Sequence, residues 1–182
     1  VLAGDALQTL AFELVGKQEV GSGDVRADLS LSLARAAGAK GMVLGQALDI
    51  AASSANQALT LDEITALQRG KTGALIEWSA TAGARLAGAD ITPLQTYSLA
   101  LGLAFQIADD VLDITGDATT IGKATGKDAN AGKATFVSLL GLDEAKRRAQ
   151  SLVTAACDAL QPYGANADIL RETARFVIAR KK

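Results

Sequence analysis

The sequence predicts an all-α protein, a bundle of closely packed helices. Apolar residues recur with helical spacing through almost the whole chain, and only two prolines interrupt its 182 residues. Alanine and leucine, which favour the helix, are abundant among the apolar positions. With 49% hydrophobic and 21% charged residues, the chain can bury one sizeable core. We therefore expect residues 1–182 to form a single domain.

The first long helices are bounded by capping residues and glycines. One is predicted from Asp24 to about Ala52, preceded by the Gly-Ser segment 21–23. Thr60 and Glu63 have the spacing of a capping box, in which each side chain accepts a hydrogen bond from the backbone of the other residue. This pair predicts a second helix over residues 61–86.

The second half of the chain repeats these signals. Thr92 and Gln95 have the same capping-box spacing and would start a helix that ends near residue 113. Repeated glycines without an apolar period predict a loop over residues 116–132. Two amphipathic helices are predicted to follow, over 143–160 and 168–180.

Residues 105–113, Phe-Gln-Ile-Ala-Asp-Asp-Val-Leu-Asp, place three carboxylates at the end of an apolar helix. Asp109 and Asp113 are one turn apart on the same face, whereas Asp110 is rotated by about 100° from Asp109. Because the preceding helix is so apolar, we expect the carboxylates to line a cavity. The chain has no histidine and one cysteine, which favours an all-oxygen Mg²⁺ site. The alternative is a solvated acidic helix end.

Three lysines follow the carboxylates. Lys123, Lys127 and Lys133 each lie beside a glycine, which allows a ligand to approach the backbone closely. Ammonium groups next to carboxylates suggest an anion clamped through Mg²⁺, as di- and triphosphates usually are. The alternative is that these lysines are simply solvated. The sequence contains no P-loop pattern.

A helical break is predicted upstream, at Lys71 and Thr72. Gly70 and Gly73 flank this pair inside a helical pattern, where the helix could kink and free a carbonyl. The Lys71 carbonyl, the Thr72 hydroxyl and the Gln106 side-chain amide could then present negative dipoles to a cation. The alternative is close helix packing through small residues.

Gln46 and Asp49 form a polar pair, three residues apart, on an otherwise apolar helix. A buried carboxylate requires a compensating partner. If this pair is buried, we expect it to need partners such as Lys71.

Composition excludes several classes of function. Eighteen Lys and Arg residues against twenty Asp and Glu residues give a net charge of -2, which does not favour nucleic acid as a partner. The single Cys157 precludes an internal disulfide and fits a reducing cytoplasm. No long uncharged apolar segment and no leader pattern is present, so we expect neither a membrane span nor a signal peptide.

The segment 105–113 resembles the second aspartate-rich motif of the trans-type polyprenyl diphosphate synthases. Gly-Gln-Ala-Leu-Asp, Lys-Thr-Gly-Ala-Leu and Gly-Lys-x-x-Gly-Lys-Asp also occur in the order typical of that family. The likeness is strongest to its short-chain bacterial farnesyl and geranyl diphosphate synthases. It implies the isoprenoid synthase fold, a helical bundle around a central cavity, together with a homodimer and Mg²⁺ dependence. It also implies condensation of an allylic diphosphate, dimethylallyl or geranyl, with isopentenyl diphosphate.

The resemblance assigns roles to residues of this sequence. Asp109 would be a direct Mg²⁺ ligand, and the carboxylates that support the ion directly or through water would be Asp110, Asp113 and Asp128. The lysines that hold the allylic diphosphate would be Lys71, Lys123 and Lys133. The groups at the reacting carbons would be Thr72 and Gln106, and the substrate site would also include Gln46 and Asp49. The role of Lys127 is left open.

The sequence departs from the family at its amino end. It lacks the first aspartate-rich motif with its arginine pair, and the basic residues that bind isopentenyl diphosphate. One interpretation is that this chain is the larger, C-terminal part of a longer enzyme, which its abrupt start at Val1 favours. Another is a non-catalytic relative that binds a diphosphate or a partner synthase. A purely structural bundle would not explain why the aspartates and lysines occur in this order.

Overall fold

A computed structural model of the chain describes residues 1–54, 58–115 and 134–180, which form helices and turns without a β-strand. The predicted all-α fold is therefore confirmed. The α-helices of the described chain are α1 (Leu2–Gly16), α2 (Gly23–Ala37), α3 (Met42–Ser53), α4 (Leu61–Gln68), α5 (Ala74–Leu86), α6 (Thr92–Thr115), α7 (Phe136–Leu140), α8 (Leu142–Ala159) and α9 (Asp168–Ala179). The predicted loop 116–132 lies outside the described residues. Helices α8 and α9 begin and end within one residue of their predicted bounds.

The single helix predicted over 24–52 is wrong, because the chain breaks between α2 and α3 at residues 38–41. Two glycines make the break possible. A Cβ at Gly41 would lie 2.1 Å from the carbonyl oxygen of Ala36, and one at Gly38 would lie 2.5 Å from that of Ala34. Apolar periodicity continues across these glycines, which is why the pattern alone predicted one helix.

The helix predicted over 61–86 begins and ends as expected, and its capping box is confirmed. The Thr60 N–H donates to Glu63 Oε2 at 2.8 Å, and the Glu63 N–H donates to Thr60 Oγ1 at 3.3 Å. Between α4 and α5, however, residues Arg69–Gly73 form a π-helix. Such single-turn π segments interrupt the regular hydrogen-bond ladder and are frequent at functional sites. The predicted break at Lys71 and Thr72 is therefore confirmed.

Helix α6 begins where predicted but with a different cap. Asp90 accepts hydrogen bonds from the Thr92 N–H at 2.9 Å and from the Thr92 hydroxyl at 2.7 Å. These two bonds hold the pKa of the Asp90 carboxyl below its usual value. The Gln95 side chain instead donates to Glu77 of α5 at 2.9 Å. The predicted Thr92–Gln95 capping box is wrong because the preceding carboxylate is a stronger acceptor.

Two apolar clusters hold α4, α5, α7, α8 and α9 around α6. The larger one joins α5, α6, α8 and α9 around Tyr97, Leu101, Ala104 and Leu160. The second joins α4, α6, α7 and α8 around Ile64, Ile107, Phe136 and Ala149. Both clusters include contacts from Leu152 and Ile178. Because α6 takes part in both, its position and rotation are fixed along its length.

Exposed large apolar side chains are concentrated on α1 and α3. None of the residues of α1 is buried against the rest of the described chain. The exposed apolar residues of these two helices include Leu2, Leu7, Leu14, Val43, Leu44 and Ile50. No helix in the described ranges is long and apolar enough to cross a membrane.

Candidate active site

One face of α6 carries a stripe of four residues, Gly102 and the predicted site residues Gln106, Asp109 and Asp113. Their spacing places them within about 60° of one another around the helix. At the start of this α6 stripe, Gly102 meets the π-helix, since a Cβ at Gly102 would lie 3.3 Å from the Gly73 Cα. The stripe therefore runs from the π-helix, past the Gln106 amide, to two carboxylates.

Lys71 of the π-helix forms an ion pair with Asp49 of α3. The Lys71 Nζ donates to Asp49 Oδ2 at 2.5 Å. The Asp49 side chain is 9% exposed and that of Lys71 is 33% exposed. A carboxylate this deeply buried needs a cationic partner, so the expected pairing is confirmed. The Lys71 side chain, one-third exposed, also remains accessible to an anionic ligand on its solvent side.

The π-helix is held between α3 and α6 by backbone contacts. A Cβ at Gly45 would lie 2.0 Å from the backbone nitrogen of Lys71, which no side chain allows. Gly102 touches Gly73 from the opposite side. Thr72 lies half-buried in the same π-helix, and Gln46 is half-buried one residue after Gly45. Neither Gly45 nor Gly102 was predicted as part of the site, although a glycine inside an apolar helix indicates close backbone approach.

Asp109 forms an ion pair with Arg180, which directly follows α9. The Arg180 guanidinium lies over the Phe105 ring, with 4.1 Å between Cζ and the ring centroid. It also donates to the Phe105 carbonyl at 3.5 Å. Arg180 was not predicted as part of the site, because a lone arginine 71 residues from Asp109 gives no local signal.

The expectation that the carboxylates line a cavity stays a prediction; among the described residues Asp109 is exposed, and Asp110 and Asp113 are half-buried. The Asp109 side chain is 47% exposed, whereas the Arg180 side chain is 14% exposed. Solvent therefore reaches Asp109 where a hard cation could also bind.

Asp110 points away from the α6 stripe. Its Oδ2 accepts a hydrogen bond from the Phe136 N–H at 2.6 Å. Asp113 is half-buried and lies one turn after Asp109, on the same face of α6. Within the described ranges, no three Asp, Glu, His or Cys side chains converge to hold a metal ion. The oxygen donors of Asp109 and Asp113 nevertheless have the chemistry that Mg²⁺ prefers.

The structure thus places most of the described site residues along the π-helix and the α6 stripe, and Asp110 against α7 instead. Those around the π-helix and the α6 stripe are Gln46, Asp49, Lys71, Thr72, Gln106, Asp109 and Asp113. The predicted residues that lie outside the described chain are Lys123, Lys127, Asp128 and Lys133.

Comparison with known proteins points to one family. The family model described as Polyprenyl synthetase matches residues 1–165. The farnesyl diphosphate synthase of Escherichia coli (strain K12) is 38% identical over 191 residues, covering 100% of this chain and 63% of that protein. The farnesyl diphosphate synthase of Haemophilus influenzae is 40% identical over 187 residues, covering 100% and 62%.

Solved structures agree with this result. An FPP/GFPP synthase from Zymomonas mobilis superposes with a TM-score of 0.86 at 43% identity, covering 97% of this chain and 60% of that one. A geranyltransferase from Helicobacter pylori, complexed with magnesium and isoprenyl diphosphate, gives 0.78 at 36% identity, covering 98% and 59%. The predicted resemblance and the expected helical fold are confirmed. The chain spans about 60% of the length of these relatives.

Proposed function

Because this chain belongs to the polyprenyl synthetase family, we propose that the protein is a Mg²⁺-dependent prenyltransferase. It condenses an allylic diphosphate, dimethylallyl or geranyl, with isopentenyl diphosphate to give geranyl or farnesyl diphosphate. The observation that carries the proposal is the α6 stripe, which joins the Lys71 π-helix to the carboxylates of Asp109 and Asp113. An ammonium group at one end and carboxylates at the other suit a metal diphosphate lying between them.

The carboxylates of Asp109 and Asp113 would hold the metal ion. Bound Mg²⁺ supplies positive charge that stabilises a departing diphosphate. Lys71 contributes a second positive charge, and Asp49 fixes the position of its ammonium group. Lys123, Lys133 and Asp128 retain the roles that the resemblance implies, as further diphosphate and metal contacts.

The π-helix would serve the carbon end of the allylic substrate. When the diphosphate departs with the electrons of the C–O bond, positive charge develops on the allylic carbons. The Lys71 carbonyl, the Thr72 hydroxyl and the Gln106 amide oxygen would face that charge with negative dipoles. None of the three is a strong nucleophile, so they can stabilise a cation without trapping it. The backbone of the π-helix is in close contact with Gly45 of α3 and with Gly102 of α6. These contacts support a fixed geometry for the three groups.

The same proposal includes the assembly and location of the protein. A homodimer would cover apolar residues that α1 exposes, such as Leu7 and Leu14. The single Cys157 favours the cytoplasm. Residues 1–182 would form one domain, the C-terminal part of the helical bundle. Sedimentation of the protein at several concentrations would test the dimer.

The function is tested with the natural protein that contains this chain, isopentenyl diphosphate, and either dimethylallyl or geranyl diphosphate. We expect geranyl or farnesyl diphosphate in the presence of Mg²⁺ and none after chelation. Asp109→Asn should lower turnover by at least about 100-fold, because a metal ligand is lost. Asp143→Asn, at the exposed start of α8, should leave turnover unchanged. Diphosphate binding without any prenyl product would favour the alternative, a non-catalytic binding subunit.

A further inference from the structure

We infer that the adjacent aspartates of α6 have different roles: Asp109 faces the metal, whereas Asp110 is a positioning residue that holds the start of α7. This inference rests on the proposed function, because it divides roles within the same site. It also differs from the resemblance, which groups Asp110 with the carboxylates around the ion.

The first observation is the hydrogen bond that Asp110 accepts. The Phe136 N–H donates to Asp110 Oδ2 at 2.6 Å, across 26 residues of sequence. Phe136 is fully buried, at 0% exposure. A hydrogen bond from a buried amide to a carboxylate is charge-assisted and stronger than an ordinary amide bond. Asp110 therefore contributes to fixing the start of α7.

The second observation is the rotation of α6. Asp110 lies three residues after Ile107, on the side of the helix that packs against α7. Ile107 and Phe136 are both fully buried in the second apolar cluster. This packing turns Asp110 toward α7 and leaves Asp109, about 100° away, on the α6 stripe.

The third observation is the set of acceptors at the start of α7. The Thr135 N–H donates to Ser138 Oγ at 2.8 Å, and the Ser138 N–H donates to Thr135 Oγ1 at 3.0 Å. The Phe136 N–H, at the first residue of the helix, has no intrahelical acceptor. Asp110 supplies that acceptor from another helix. Without it, a buried amide would lack a hydrogen-bond partner, which is unfavourable.

Three substitutions separate the positioning role from metal binding: Asp110→Ala, Asp110→Asn and Asp113→Ala. Asparagine keeps a side-chain oxygen that accepts the Phe136 amide, whereas alanine does not. In the metal-free protein, Asp110→Ala should speed hydrogen exchange of the Phe136 amide by at least about tenfold. Asp110→Asn and Asp113→Ala should stay within about threefold of wild type. If Asp110→Ala does not fold while Asp110→Asn does, the result also supports the inference.

Metal binding supplies the second readout. The affinity for Mn²⁺ in the presence of inorganic diphosphate is measured by electron paramagnetic resonance. Asp109→Asn should weaken it by at least about tenfold, and Asp110→Asn should leave it within about threefold of wild type. An equal loss in both variants would overturn the inference, as would unchanged Phe136 exchange in Asp110→Ala. If wild type binds no Mn²⁺ with diphosphate, the proposed function fails. The hydrogen-exchange measurement still tests whether Asp110 accepts the hydrogen bond from the Phe136 amide.

Discussion

The carboxylate of Asp109 pairs with the guanidinium of Arg180, which joins the acidic end of α6 to the end of α9. Arg180 is mostly buried and also contacts the ring and the carbonyl of Phe105. The Arg180 guanidinium is therefore held in a fixed position next to Asp109. A divalent cation that binds Asp109 must do so beside this fixed positive charge, which opposes binding.

Arg180→Gln should therefore strengthen Mn²⁺ binding in the absence of diphosphate, by about threefold or more, because a nearby like charge is removed. Isothermal titration at low ionic strength measures the change. Arg175→Gln is the matched control, since Arg175 is an exposed arginine on α9. If Arg180→Gln weakens binding instead, Arg180 supports the metal site rather than opposing it.

Because Gly45 touches the backbone of the π-helix, replacing it with alanine should destabilise the protein, whereas alanine at an unconstrained glycine should not. Gly45→Ala would place a methyl group 2.0 Å from the Lys71 nitrogen, so α3 and the π-helix must separate. We expect a loss of several kcal/mol, about 3 or more, in the free energy of unfolding. Gly83→Ala in α5 has open space at its Cβ and should gain about 0.5–1 kcal/mol. Urea unfolding of both variants tests this, and equal stabilities would contradict the described contact.

The ion pair between Lys71 and Asp49 predicts that removing the lysine costs stability. Lys71→Met leaves the buried Asp49 carboxylate without this cation and should lower the free energy of unfolding by about 1–3 kcal/mol. Adding Asp49→Asn should recover part of the loss, because the buried charge is gone. Arg147→Met removes an exposed ion pair with Glu144 and should lower the free energy of unfolding far less than Lys71→Met does. Strictly additive effects of the two substitutions would show that Lys71 and Asp49 are not coupled.

Tyr97 predicts a loss of stability at alkaline pH. Burial raises the pKa of its hydroxyl, which donates to the Leu170 carbonyl, from 10.0 to about 12. Between these values the unfolded chain releases the proton and the folded chain keeps it. Stability from this group is thus complete below pH 10 and is lost as the pH rises toward 12. The drop in unfolding free energy between about pH 8 and about pH 11 should be smaller in Tyr97→Phe. Tyr163→Phe, at the other tyrosine of the chain, is the matched control.

Local signals were predictable from the sequence, and so was the pairing of Lys71 with Asp49, but the other long-range contacts of the site were not. The Thr60–Glu63 cap and the break at Lys71 depend on residues within one turn, and both were predicted. The Thr92–Gln95 cap failed because Asp90 competes for the same donors. The partners of Asp109 and Asp110 lie 71 and 26 residues away, so only the folded chain reveals them.

The central claim is that the α6 stripe binds a metal diphosphate through Asp109. The most direct measurement is the melting temperature of the protein with Mg²⁺, inorganic diphosphate, or both, for wild type, Asp109→Asn and Asp143→Asn. A ligand that binds only the folded state raises the melting temperature. We expect a rise with both ligands together in wild type and Asp143→Asn, and none in Asp109→Asn. An equal rise in Asp109→Asn would contradict the claim and place the diphosphate elsewhere.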